Sequence, residues 1–306
     1  MIRIGIDFGG TKIEVAALAE NGDFLCRIRA PNPGSYDGAI RTVAELIHSA
    51  ESQIGVTGAT IGVGMPGSVS PKTGLIRNAN SVYLNGRNFA ADVEAALGRP
   101  VRLSNDANCL ALSESVDGAG AGLSPVFAVI LGTGCGGGVT VDGKLVEGIS
   151  AIAGEWGHNP LPWPDMAEVP GPACWCGQQG CLETWISGTG FGADYHAHGG
   201  DAIRGQDIIA RMRDGEAAAV AAFDRYVSRL GRALASICNL IDPAVIVLGG
   251  GMSNVPELYE RVPPVVTRYI FSDVWQGQIR PAKWGDSSGV RGAAWLWPDP
   301  GAGQAK

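Results

Sequence analysis

The chain opens on an apolar run, Ile2 to Asp7, that breaks at Gly9-Gly10-Thr11 and resumes as Ile13-Glu14-Val15-Ala16-Ala17-Leu18. A turn at Asn21-Gly22-Asp23 leads into Phe24-Leu25-Cys26. The second half repeats this order: Val126 to Leu131, a break at Gly132-Thr133-Gly134, Val139-Thr140-Val141, then a turn at Asp142-Gly143. Short apolar runs bounded by Gly, Asn and Asp read as strands joined by tight turns. The Gly-Thr step shared by both first turns makes two chance hairpins a poor account. Two related α/β domains facing one another are therefore expected.

Helical spacing follows each unit. Ile40, Val43, Leu46, Ile47 and Ala50 recur on one face after a start signal at Ser35. A long helix carries Val220, Phe223, Val227, Leu230, Leu234, Ile237 and Ile241 and stops before Pro243. Ala244 to Leu248 is uninterruptedly apolar, as a parallel strand covered on both faces should be, and it ends at Gly249-Gly250-Gly251. The proline-rich segment 161–172 reads as a loop, and the tail from Asp299 to Lys306 as frayed.

Composition narrows the class. With 306 residues, 45% hydrophobic and 17% charged, the chain can bury a large core. A formal charge of −7 and no Lys/Arg run argue against nucleic-acid binding. Ile2-Arg3-Ile4-Gly5-Ile6 is too short and interrupted for a signal peptide, and no apolar stretch has membrane-span length. Of seven cysteines, Cys26, Cys109, Cys135 and Cys238 sit scattered in apolar or glycine-rich settings. This is the pattern of a reducing compartment, so a cytoplasmic location is expected.

Three glycine-rich turns follow apolar strands: Asp7 to Lys12, Gly132 to Gly138, and Gly249 to Gly251. Glycine lets successive backbone N–H groups converge on an anion, and Thr11 and Thr133 add hydroxyl donors. Each turn alone also fits a plain hairpin; the three together point to phosphate. Asp7 at a strand end suits Mg²⁺, held through water. Neither the P-loop pattern nor the dinucleotide fingerprint is present. Asn105-Asp106 closes the strand Val101-Arg102-Leu103 and starts a helix through Glu114. Here Asp106 serves equally as a helix cap or as a base facing the cleft of an open sheet.

His158, Cys174, Cys176 and Cys181 offer one imidazole and three thiols at spacings that suit a closed structural zinc site. Glu155 and Glu183 border these ligands and are not needed by the metal. His196 and His198 read as part of a solvated loop, and His48 as a surface position on its helix.

These motifs resemble the ROK family (repressor, open reading frame, kinase) of the actin-like ATPase superfamily. The matches are Asp7-Phe8-Gly9-Gly10-Thr11-Lys12, Asn105-Asp106-Ala107-Asn108, Leu131-Gly132-Thr133-Gly134, Gly154-Glu155-Trp156-Gly157-His158, Cys174-x-Cys176-Gly177-x2-Gly180-Cys181-x-Glu183, Gly249-Gly250-Gly251 and the closing run Gly285 to Ala294. The resemblance implies an α/β, actin-like (ribonuclease H-like) fold with two related domains around a cleft. Residues 1–117 plus about 291–306 would form the smaller domain, and 118–290 the larger one with the zinc loop. ATP phosphates would lie on Asp7, Gly9, Gly10, Thr11 and Lys12 and on Gly132, Thr133, Gly134 and Gly136, with Gly249, Gly250 and Gly251 near adenosine.

Asp106 would be the base that activates a hexose 6-hydroxyl. Gly67, Asn80, Asn105, Glu155, His158 and Glu183 would line the sugar pocket, with His158 using one ring nitrogen for zinc and the other for the sugar. Gly157-His158-Asn159-Pro160-Leu161-Pro162-Trp163 and Asn78-Ala79-Asn80-Ser81-x3-Asn85-Gly86 look most like fructokinases that also accept mannose, and weakly glucose. An N-acetylglucosamine kinase or a glucokinase is the alternative. A sugar-sensing repressor is less favoured, because its helix-turn-helix would precede a strand that here starts at residue 2. A homodimer is expected from the resemblance alone.

Overall fold

The computed structural model describes residues 1–298; the tail expected to fray lies outside them. β1 (Arg3–Phe8), β2 (Lys12–Leu18) and β3 (Phe24–Pro31) form an antiparallel meander. α1 (Tyr36–Ile54) crosses to β4 (Thr60–Met65), parallel to β1. A small hairpin of β5 (Ser68–Val69) and β6 (Ile76–Arg77) and then α2 (Phe89–Leu97) precede β7 (Val101–Asn105), parallel to β4. After α3 (Asp106–Val116) the plan restarts with β8 (Val126–Leu131), β9 (Cys135–Val141) and β10 (Lys144–Leu145). α4 (Glu183–Ile186), α5 (Gly188–Ala197), α6 (Gly205–Arg213) and α7 (Ala217–Ile241) lead to β11 (Val245–Gly249). α8 (Glu257–Tyr269), β12 (Gln278–Pro281) and α9 (Ser288–Ala294) complete the described chain.

The sheets run β3-β2-β1-β4-β7 and β10-β9-β8-β11-β12. Each is three antiparallel strands followed by two parallel ones, so the repeat read from two hairpins extends through both sheets. The result is an α/β fold of the actin type, with two α/β lobes flanking a cleft.

Local chemistry accounts for the elements. β11 is fully buried along its length, as its unbroken apolar sequence requires. α7 buries Phe223, Val227, Leu230 and Leu234 and ends at Asp242, in a left-handed conformation just before Pro243. α1 starts after an extended Ser35 and ends on left-handed Gly55. Val43, Ile47 and Ala50 are buried, while Ile40 and Leu46 are partly so.

Two expectations change. Gly136, Gly137 and Gly138 belong to strand β9 rather than to a turn. A Cβ at Gly138 would come within 2.6 Å of the Ala107 carbonyl, and one at Gly137 within 2.7 Å of Trp156, so these glycines admit close neighbours on the two faces of the strand. His196 lies in the last turn of α5 and His198 caps it, so neither sits in a free loop.

α9 lies directly on the first sheet. A Cβ on Gly5 or Gly62 would stand within 1.9 Å of the Val290 or Ala293 carbonyl oxygen. α9 also crosses α3, where a Cβ on Gly292 would meet the Cys109 carbonyl at 1.7 Å. Fully buried Glu114 of α3 accepts from the N–H groups of Ala119, Lys283 and Trp284 and from the Ser288 hydroxyl. Arg291 pairs with Asp117 beside it. No helix among the described residues is long and apolar enough to cross a membrane.

Candidate active site

A cavity of about 2560 Å³ gathers most of the residues singled out in the sequence. Gly67, Asn80, Asn105, Asp106, Gly132, Thr133, Gly134, Gly136, Glu155, His158, Cys174, Cys176 and Glu183 all line it. Asp7, Gly9, Gly10, Thr11, Lys12 and Gly249 to Gly251 do not. The third turn nevertheless abuts the second: left-handed Gly250 sits so close to Leu131, which precedes Gly132, that a Cβ would come within 2.6 Å of its carbonyl oxygen. The first turn is closed by the Gly9 N–H donating to the Lys12 carbonyl at 3.0 Å, and by Asn32 donating to the Gly9 carbonyl at 2.7 Å.

Asp106 is the first residue of α3, and the cap is its neighbour: Asn105 accepts from the Asn108 N–H at 2.7 Å. That frees Asp106 from capping. Its Oδ1 takes the Ala107 N–H at 2.8 Å, and the carboxylate is open to the cavity. Desolvation by the surrounding walls raises its pKa, opposed by the backbone N–H bonds and aided by the charge of Glu155. Asp7 is pushed up to about 6, chiefly by desolvation and then by the charges of Asp106 and Glu14. Each of these two carboxylates would be stabilised by a nearby cation.

The cavity wall contributed by the first lobe is a loop shaped by Asn85. Its side chain accepts from the Ala79 N–H and donates to the Ala79 carbonyl, both at 2.9 Å, fixing the backbone between Asn78 and Asn80. Gly67 must be glycine here, since it is left-handed (φ 81°) and a Cβ would stand 2.5 Å from the Arg77 carbonyl. Arg77 reaches across the cleft to the Ser150 carbonyl at 3.3 Å.

On the opposite wall, the ligand atoms of His158, Cys174, Cys176 and Cys181 lie within 4.8 Å of one another. His158 Nδ1 is 3.7 Å from the Cys174 sulfur, and the Cys176 and Cys181 sulfurs are 3.6 Å apart. A tetrahedral ion with 2.3 Å bonds to sulfur has edges of roughly 3.8 Å. The donor set and its spacing therefore fit such an ion, with no fifth ligand. Glu183 begins α4; its carboxylate accepts from the Cys135 N–H at 2.9 Å and from the Trp175 indole N–H at 2.7 Å. Trp175 and Asn85 were visible in the sequence, but nothing in their spacing announced these contacts.

The segment feeding this wall is pinned to α7. Asp165 and Glu168 form a reciprocal capping box, and Glu168 pairs with Arg229 and Arg232, all three nearly buried. Arg229 and Arg225 also pair with Asp194 of α5.

The ROK family profile matches residues 3–300. An N-acetyl-D-glucosamine kinase of Vibrio cholerae is 40% identical over 95% of this chain and 98% of its own. An N-acetylgalactosamine kinase of Shewanella is 40% identical over 95% of both chains. The crystal structure of a ROK hexokinase from Thermus thermophilus superposes with a TM-score of 0.85 at 33% identity, over 96% of this chain and 97% of that one. The chain belongs to the ROK family and is an ATP-dependent sugar kinase of that family. The expected kinship to fructokinases is overturned by these amino-sugar kinases. Asn159 and Pro160, part of one run behind that expectation, do not line the cavity: the Asn159 carbonyl accepts the Leu182 N–H at 2.8 Å and Pro160 bridges Cys181.

Proposed function

We propose that this ROK-family kinase transfers the γ-phosphoryl group of ATP to the 6-hydroxyl of N-acetylglucosamine. The observation that carries the reading is one cavity holding Asp106, the Gly132 to Gly134 turn and the Glu155, His158 and Glu183 wall together. Asp106 accepts the proton of the attacking hydroxyl, and its raised pKa suits it to that task. The transfer passes through a loose transition state, so alignment and charge stabilisation supply most of the rate. Asp7 would hold Mg²⁺ of the nucleotide through water, while backbone N–H groups of the first two glycine turns would hold phosphate and Gly249 to Gly251 would adjoin adenosine. Asn80, Asn105, Glu155, His158 and Glu183 take sugar hydroxyls, and Gly67 gives them room.

The ion suited to His158, Cys174, Cys176 and Cys181 is zinc, which would supply rigidity and fix the His158 tautomer. The lobe boundary falls after α3, at about residue 117, and the chain from about 291 returns to the first lobe. The test is an ADP-release assay across N-acetylglucosamine, N-acetylgalactosamine, glucose, mannose and fructose. N-acetylglucosamine should give the highest kcat/KM. A higher value for any unacetylated hexose, or for N-acetylgalactosamine, would refute the assignment.

A further inference from the structure

We propose that Trp175 is a positioning residue for sugar binding that acts through Glu183. The inference rests on the amino-sugar kinase reading of the cavity and adds a residue to it. Glu183 is held by two donors from separate segments. The Cys135 N–H belongs to the start of β9, just past the second glycine turn, and the Trp175 indole N–H lies between two metal-ligand positions, Cys174 and Cys176. Each carboxylate oxygen takes one donor, which fixes the last torsion of the side chain and aims the remaining lone pairs into the cavity. Gly134 makes room for this arrangement, since a Cβ there would stand 2.6 Å from Glu183 Oε2.

Trp175 has little reason to be where it is through burial. It is 66% exposed at the cavity wall, so its burial gains little from the hydrophobic effect. Its specific contacts are the Glu183 bond and an edge-to-face packing on His158, at 5.0 Å between ring centroids. The metal loop thereby reaches a sugar-binding carboxylate and, through it, the backbone of the glycine turn. The indole is the only side chain carrying that connection to Glu183 among the described hydrogen bonds.

Trp175→Phe keeps an aromatic ring against His158 and removes only the N–H donor. Calorimetric titration with N-acetylglucosamine should show Kd raised roughly fivefold, with kcat changed less than about twofold and metal content equal to the parent's. In a Glu183→Ala background, which leaves the indole no acceptor, the same substitution should change Kd less than about twofold, because its route of action is already cut. An unchanged Kd in Trp175→Phe, or an equal loss in the Glu183→Ala background, overturns the proposal. A readout independent of sugar is the Trp175 indole N–H resonance, assigned by its absence in Trp175→Phe. It should move upfield and exchange faster with solvent in Glu183→Ala; an unmoved resonance also overturns the proposal. If the parent protein binds no amino sugar, the functional reading fails, and the resonance still decides the Trp175–Glu183 contact on its own.

Discussion

Replacing Glu168 by glutamine asks whether charge holds the proline-rich segment to the long helix. Glu168 is 7% exposed and accepts from Arg229 Nε at 2.8 Å and from Arg232 Nη1 and Nη2 at 2.9 and 2.8 Å. These guanidinium bonds hold its carboxyl at about 2, against an ordinary 4.5, despite the opposing effect of burial. At about 1.4 kcal/mol per unit, the difference corresponds to about 3 kcal/mol at neutral pH. Breaking a buried ion pair costs roughly 3–5 kcal/mol. The lower end applies, because Arg229 keeps Asp194 at 2.7 Å and Arg232 keeps the carbonyls of Pro162 and Trp163. A loss of that size lowers Tm by roughly 5 °C if the chain unfolds as one unit. The folded pKa is depressed, so the contribution is complete above the unfolded value and is lost as pH falls toward about 2. Urea denaturation of parent and Glu168→Gln should show a gap near 3 kcal/mol at pH 7 that shrinks by roughly 40% at pH 3.5. A gap below about 1 kcal/mol at pH 7, or one independent of pH, would refute the reasoning.

Other predictions address the site itself. Asp106→Asn should leave the sugar Kd within about threefold while kcat falls by roughly two to four orders of magnitude; near-normal turnover removes Asp106 from the role of base. Asp7 has a folded pKa of about 6, above its unfolded 3.8, so the folded protein loses stability as pH rises through that window. Asp7→Asn should therefore stabilise the ligand-free protein by at most about 3 kcal/mol above pH 6 and by nothing near pH 3.5. Thermal melts across pH check this, and equal melting of the two proteins at pH 8 counts against it. Elemental analysis of protein prepared without chelator should find one zinc per chain, and Cys176→Ser should lower that content. Parent protein with far less than one zinc contradicts the site.

What could be read in the sequence was whatever short range determines. The strands and the glycine breaks follow from runs of a few residues, and the four ligand positions fit zinc by spacing alone. The repeat was seen only in its hairpins, because the parallel partners β4, β7, β11 and β12 lie far along the chain, where no local pattern marks pairing. Gly136 to Gly138 were read as turn because glycine is ambiguous: the same absence of Cβ serves an anion nest or a close crossing, and here Ala107 and Trp156 press on the strand. Asp106 could not be told from a cap until Asn105 was found bonded to the Asn108 N–H. The fructokinase kinship was expected from two short runs, and in one of them the backbone of Asn159-Pro160 pairs with Leu182 and Cys181.

The packing around Asp106, the proposed base, bears on how the two lobes could move relative to one another. α3 starts from β7 of the first sheet, but a Cβ at Gly138 of the second sheet would touch the Ala107 carbonyl, so the first turn of α3 is seated against both sheets. Farther along, Gly292 of α9 admits the Cys109 carbonyl, and Glu114 binds the backbone at Lys283 and Trp284. Motion that separated α3 from either lobe would strip buried bonds from Glu114 or open a void at these glycine contacts, each costing a few kcal/mol. The cross-cleft bond from Arg77 to Ser150 is different: it is exposed, single and long, and breaking it costs little. Opening and closing should therefore take place between the Asn78–Asn80 loop and the segment around Ser150, pivoting about α3 and α9. Asp106, the proposed base, then sits at the pivot, where lobe rotation moves it least.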